Sequence, residues 1–96
     1  MFMSIRSYRV RPDQRDEVVR RVDDGWADQL KKQSGFVAYY VVASGPEELV
    51  SMTACLSEEA LKRVVEASAE WVGGHLMDLD VTLTEEREGR VESHVG

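Results

Sequence analysis

Asparagine is absent from this 96-residue sequence, cysteine occurs once, and proline and histidine occur twice each. Each scarcity closes off a class of protein. A lone cysteine, Cys55, permits neither an internal disulfide nor a multi-cysteine zinc site. It falls in an apolar stretch with no base close in sequence, the setting of a small buried thiol rather than a nucleophile. His75 and His94, with scattered carboxylates, fall short of a recognisable ligand set, so no metal is expected. No apolar run approaches the roughly 20 residues a membrane span needs. Nor is there a charged, then apolar, then small-residue leader, so the expected location is cytoplasmic, with no membrane partner. Glycine-rich phosphate loops and nucleophile elbows are also missing.

Positive charge is scarce too. The net charge is −6, and from Glu47 onward four Lys/Arg face twelve Asp/Glu. An acidic chain with no basic cluster repels a phosphate backbone, so nucleic acid is not an expected partner. The spread of Arg6, Arg9, Arg11 and Arg15 is interleaved with strand and turn residues and reads as a solvated edge. The length suits one domain spanning residues 1–96, near the lower end of independent stability.

What is present is a clear alternation of elements. Phe2 to Val10 reads as a strand, stopped by Arg11-Pro12-Asp13. Asp13 is placed to cap a helix over about residues 14 to 33, with Asp16 and Glu17 suiting its positive end. On a helical wheel Val18, Val22, Trp26, Val19 and Leu30 share an arc of roughly 120°. Gly25 lies off that stripe, and Gly35 supplies the stop. Phe36 to Ala43 is apolar on both faces, with Phe36, Ala38, Tyr40 and Val42 on one side and Val37, Tyr39, Val41 and Ala43 on the other. Two helices cover one face of a small sheet, so the other face calls for a second copy of the chain. Ser44-Gly45-Pro46 turns the chain into an antiparallel strand, Leu49 to Leu56. Ser57 caps a second helix whose stripe holds Leu61, Val64, Val65, Trp71, Val72 and Leu76, with Gly73-Gly74 weakening or ending it. A last strand starts near Asp80. Residues from about 87 to 96 read either as its continuation through a bulge at Gly89 or as a charged arm.

The order β-α-β-β-α-β is that of a ferredoxin-like fold: an antiparallel four-stranded sheet with two helices on one face. The strings MFMSIRSYRVRPDQRDEVVRRV, SGFVAYYVV and MTACLSEEALKRVVEASAEWV resemble the antibiotic-biosynthesis-monooxygenase (ABM) group of the dimeric α/β-barrel superfamily. The resemblance covers nearly the whole chain. It implies a homodimer joined through the sheet faces, giving an α/β barrel, with a pocket in each subunit between helices and sheet. Active members of the group oxidise small aromatic or polyketide-like compounds with neither metal nor flavin, so no cofactor is expected. Haem-degrading relatives use an asparagine on the first strand with a tryptophan and a histidine. Strand one here offers Ser4 and Ser7 instead, which argues against haem breakdown.

The candidate site residues follow from this frame. His75 is the candidate catalytic group, one turn beyond Trp71, to orient or deprotonate an acidic substrate. Trp71, Ser68 and Trp26 are candidate pocket walls, and Tyr39 and Tyr40 candidate hydroxyl donors, at most one of them in any single pocket. All of these residues also have packing readings: core tryptophans, a helix serine bonded to the Val64 carbonyl, and a histidine at a frayed helix end. Arg6 shares a face of strand one with Ser4 and Tyr8. Against a partner sheet it needs a carboxylate mate; against a pocket it binds an anionic substrate. Two functions are carried forward: cofactor-independent, monooxygenase-type oxidation of a small aromatic or polyketide-like compound, or a non-catalytic dimer that binds a small hydrophobic ligand or serves as an accessory protein.

Overall fold

The computed structural model describes all 96 residues. Four strands form one antiparallel sheet in the order β2-β3-β1-β4: β1 (Phe2–Val10), β2 (Phe36–Gly45), β3 (Glu48–Cys55) and β4 (Val81–Arg90). Between β1 and β2 lie α1 (Arg15–Arg21), a π-helical turn (Val22–Trp26) and α2 (Ala27–Lys31), joined end to end; α3 (Glu58–His75) connects β3 to β4. This is the ferredoxin-like arrangement, with both helical rods packed on the same sheet face. The buried core, including Val10, Val18, Trp26, Leu30, Leu49, Leu61, Val64 and Trp71, fills the space between them.

The first helix departs from the regular rod its sequence pattern predicts. In an α-helix each four-residue step overshoots a full revolution by about 40°, so a row spaced 4-4-4 slides around the cylinder. At the centre of this row the Ala27 N–H bonds the Val22 carbonyl, five residues back. A π turn holds about 4.4 residues, and the same step there falls about 30° short of a revolution. The wide turn cancels drift from its neighbours, and Val18, Val22, Trp26 and Leu30 are all buried in one line above the sheet.

Other corrections are local. Asp13 does not cap α1; it is held by Arg11, whose Nη2 lies 2.7 Å from Asp13 Oδ2. Gln14 occupies the cap position without capping the helix, its Oε1 accepting from the Asp80 N–H at 2.8 Å. Ser57 does cap α3, its Oγ accepting from the Ala60 N–H at 3.1 Å. Gly73 and Gly74 do not end α3, which continues to His75. In β2 the pairing slips between Phe36 and Ala38, an extra residue that turns Phe36 to the helix side with Tyr39 and Val41. Sequence alternation had set Phe36 beside Tyr40. The last strand runs through Gly89 to Arg90, and its irregularity lies opposite Ser7 and Tyr8 instead.

The first helical rod ends at Lys31, with Lys32 at its cap, two residues short of the predicted end. Gly35 sits in the turn before β2 at φ +81°, a conformation L side chains rarely adopt. The outer face of the sheet has no covering element. Ile5, Met52 and Tyr40 are aligned across β1, β3 and β2, with Ser7, Val50 and Val42 beside them. Tyr40 is 58% exposed there and Ile5 40%.

Candidate functional site

The helix-facing side of the sheet is not filled completely. A cleft of about 40 Å³ remains between it and the helices. Tyr8 and Val10 of β1, Tyr39 and Val41 of β2, and Leu49 and Ser51 of β3 form the floor. Val18, Val22 and Trp26 form one wall; Ser68, Trp71 and Val72 of α3 form the other. Leu76 and Val81 close the end. A water needs roughly 10–15 Å³ of such space, so the cleft as it stands holds a few waters and no aromatic ring. A larger occupant must part the helices.

The two indoles define the apolar character of the site. Their ring centroids are 6.2 Å apart with planes inclined by 37°. Close approach of the two helical rods depends on Gly25: a methyl group there would sit 3.1 Å from Trp71 Cζ2. The Trp26 Nε1 is buried without a hydrogen-bond partner.

Polar groups in the cleft are hydroxyls. Burial pushes the Tyr39 phenol well above its ordinary value, with the Tyr8 and Asp23 charges adding and Arg6 opposing. Tyr8 is raised as well, by burial first; Arg6 and the Ser51 hydroxyl oppose, and Glu86 adds. Both phenols are therefore protonated donors at neutral pH, unsuited to act as bases. The Cys55 thiol is buried and raised by desolvation, the environment of an inert packing group.

Trp26, Tyr39, Ser68 and Trp71 are brought together by the fold as cleft residues. Tyr40 lies on the opposite, outer face. His75 is exposed and stacks on Trp71, 4.7 Å between centroids and 11° between planes, without lining the cleft. Its Nδ1 lies 2.8 Å from the Trp71 carbonyl oxygen. A carbonyl only accepts, so Nδ1 carries the hydrogen, and Nε2 of the neutral ring is left as the acceptor. Arg21 fastens this end of the cleft: Nη1 donates to the His75 carbonyl at 2.9 Å and to Asp78 Oδ1 at 2.7 Å, while Nε donates to Glu17 at 2.7 Å. Arg6 faces the helices, not the outer side, next to Tyr8. Sequence reasoning missed Tyr8 and Ser51 as lining residues and Gly25 as a contact. The alternation of β1 carried the signal for Tyr8; Ser51 and Gly25 needed the pairing and the π turn.

No group of three or more His, Cys, Asp and Glu side chains is placed to hold a metal ion. No helix is long and apolar enough to cross a membrane.

A four-stranded ferredoxin-like sheet with an apolar cleft beneath its helices defines a class, and the comparisons narrow it. Residues 1–75 match the family described as Antibiotic biosynthesis monooxygenase, and the chain belongs to that family. Among curated proteins, none matches. Among solved structures, a variant of MhuD with two manganese protoporphyrin IX molecules bound per active site is similar. It has 20% identity and a TM-score of 0.78, with 100% of this chain and 99% of that one covered. A dimeric ferredoxin-like protein from an uncultured marine organism has 12% identity and a TM-score of 0.78, covering 98% and 96%. SnoaB, a cofactor-independent oxygenase from Streptomyces nogalater, has 16% identity and a TM-score of 0.71, covering 98% and 95%. At these identities the likeness is one of fold.

Proposed function

We propose that the chain is a homodimeric, cofactor-independent oxygenase acting on a small aromatic or polyketide-like compound held in the helix–sheet cleft. The observation that carries this reading is the cleft itself: two tryptophans and two protonated tyrosines around an apolar space. Such a site suits a planar, hydrophobic molecule with ring oxygens, the indoles supplying faces and the phenols hydrogen bonds. Family membership and the resemblance to SnoaB support the same chemistry. The exposed Ile5 and Tyr40, with half-buried Met52 aligned between them, support a second copy packed against the outer sheet face.

The reaction balances with oxygen alone. A substrate CH₂ flanked by aromatic rings loses a proton, and its carbanion gives one electron to O₂. The radical pair combines to a peroxide, which loses water to leave a ketone; one O₂ is consumed per C=O and H₂O formed. Apolar walls leave the carbanion poorly solvated and so a stronger electron donor, while the Tyr8 and Tyr39 hydroxyls bond the ring oxygens. The cleft presents no carboxylate or imidazole to take the first proton, so the substrate must be acidic enough to ionise readily. That same feature favours the second reading, a binding protein without catalysis.

Oxygen uptake on adding anthrone- or quinol-like compounds, followed together with quenching of tryptophan fluorescence, separates the readings. Uptake with one ketone per O₂ is the expected result. Quenching without uptake replaces the oxygenase by a binding protein, and neither response leaves an accessory dimer. A monomer by light scattering overturns the paired sheet.

A further inference from the structure

Arg6 is the only charged side chain that β1 turns toward the helices, and its bonds are largely unmade. The side chain is 11% exposed, and both Nε and Nη1 are buried without a hydrogen-bond partner. One carboxylate comes within reach: Glu86 Oε2, 3.6 Å from Nη2, on a half-exposed side chain. That separation exceeds the roughly 2.7–2.9 Å of a charge-assisted hydrogen bond. Two guanidinium nitrogens thus point their hydrogens at no acceptor, in surroundings where an unsatisfied charge is most costly.

This cation does not line the apolar cleft but stands beside residues that do. Tyr8, two residues along the same face, lines the cleft, and the Arg6 guanidinium carbon lies 5.8 Å from its ring centroid. Ser51, directly across the β1–β3 pair from Arg6, lines it as well. On the other side of Arg6, the Ser4 Oγ is buried and also lacks a partner. The apolar slot between the indoles therefore adjoins a short polar strip in which Arg6 Nε and Nη1 and the Ser4 hydroxyl lack partners. One molecule satisfies both halves: a flat ring with an oxyanion at one edge.

Given an aromatic occupant of the cleft, on which this inference rests, we propose that the occupant is an anion. Its carboxylate or ionised ring oxygen is held by Arg6 with the Tyr8 and Ser51 hydroxyls, and its ring lies toward Trp71. Arg6 then sets specificity, rejecting neutral molecules of the same shape because they leave its Nε and Nη1 without a charged acceptor.

The test compares 2-naphthoate with 2-naphthamide, near-isosteres that differ in charge, by tryptophan quenching and calorimetry. The wild type should prefer the acid by about tenfold or more. Arg6→Gln should remove the preference by weakening the acid while leaving the amide within about twofold, and Arg6→Lys should restore part of it. A phenol titrated across its own ionisation shows whether a single oxygen suffices: tighter binding of the phenolate extends the proposal, and equal binding limits the anion to carboxylates. Equal affinity of the wild type for acid and amide overturns the anchor and leaves the aromatic cleft standing; so does an equal loss of both in Arg6→Gln. Binding of neither probe overturns both. The wild-type comparison holds even if Arg6→Gln fails to fold.

Discussion

Gly35→Ala tests whether the joint between the first helical rod and β2 is as tight as its geometry says. Two costs are separable. Holding an alanine at the φ of +81° observed for Gly35 costs roughly 1–2 kcal/mol. The added methyl would also lie 2.7 Å from the Ala60 Cβ. Carbon atoms rest at about 3.5–4.0 Å, so the start of α3 must retreat by about 1 Å, or the loop must. Retreat is resisted at both ends: Ser57 caps the helix through the Ala60 N–H, and the Leu56 N–H donates to the Gly35 carbonyl at 2.8 Å. Overpacking of this kind costs about 1–3 kcal/mol. A stiffer unfolded chain returns about 0.4–1 kcal/mol. The net expectation is a loss of about 1–5 kcal/mol, each kcal/mol lowering Tm by roughly 4–8 °C for a domain of this size. Urea and thermal unfolding at fixed protein concentration measure it. Ala60→Gly removes the methyl that is struck. The double variant should be more stable than the two single losses predict, by about 1–3 kcal/mol, since only the overpacking depends on both groups. Additivity within about 0.5 kcal/mol would show that the contact is relieved without strain, and the reasoning would fail.

Other expectations follow from the site and the surface. Trp71→Ala, which empties a cleft wall that is 5% exposed, should cost about 3–5 kcal/mol and abolish ligand quenching; a smaller loss means the helices collapse into the gap. His75→Ala should keep oxygen uptake within about threefold of wild type, because the imidazole stacks on Trp71 outside the cleft; loss of uptake would make it the base. Glu17, bonded by Arg20 and Arg21, is lowered from its ordinary 4.5 to about 2, and Asp78, bonded by Arg21, is lowered too. Their contribution is complete above the ordinary carboxylate range and is lost as pH falls from about 4.5 toward about 2. Urea midpoints across that window should drop more steeply for wild type than for Arg21→Gln. Tyr40→Glu on the outer face should give a monomer by light scattering with its circular dichroism retained, and a persistent dimer would move the interface elsewhere.

Local signals told the most about the fold. The Ser57 cap and the turns at Pro46 and Gly35 each depend on a few adjacent residues. The cap stands as read, while β2 runs on through Ser44 and Gly45 to a turn at Pro46 and Glu47, and the first rod stops at Lys31, before Gly35. The placing of Phe36 fails, because a strand apolar on both faces gives no sign of an extra residue, and the bulge after Phe36 reverses its side. Its neighbours Tyr40 and Val42 still point outward, so the case for a covered outer face survives the error. The site was only partly legible. Trp26 and Trp71 announce themselves by size at helical spacing. Tyr8 and Ser51 become cleft residues only once β1 and β3 are paired and the helices laid over them. Arg6 had two possible faces until its strand had a direction in space.

The π turn of the first rod has a consequence for descent as well as for packing. A helix that gains one residue, while both of its ends stay docked, absorbs the surplus as a widened turn. Val22–Trp26 is thus the expected trace of a single inserted codon. A relative whose first helix is regular should be one residue shorter between its counterparts of Val18 and Leu30. Deleting Asp24 here would restore a regular helix and change the step from Val22 to Trp26 from about 330° to about 300°, so Trp26 should stay on the cleft side.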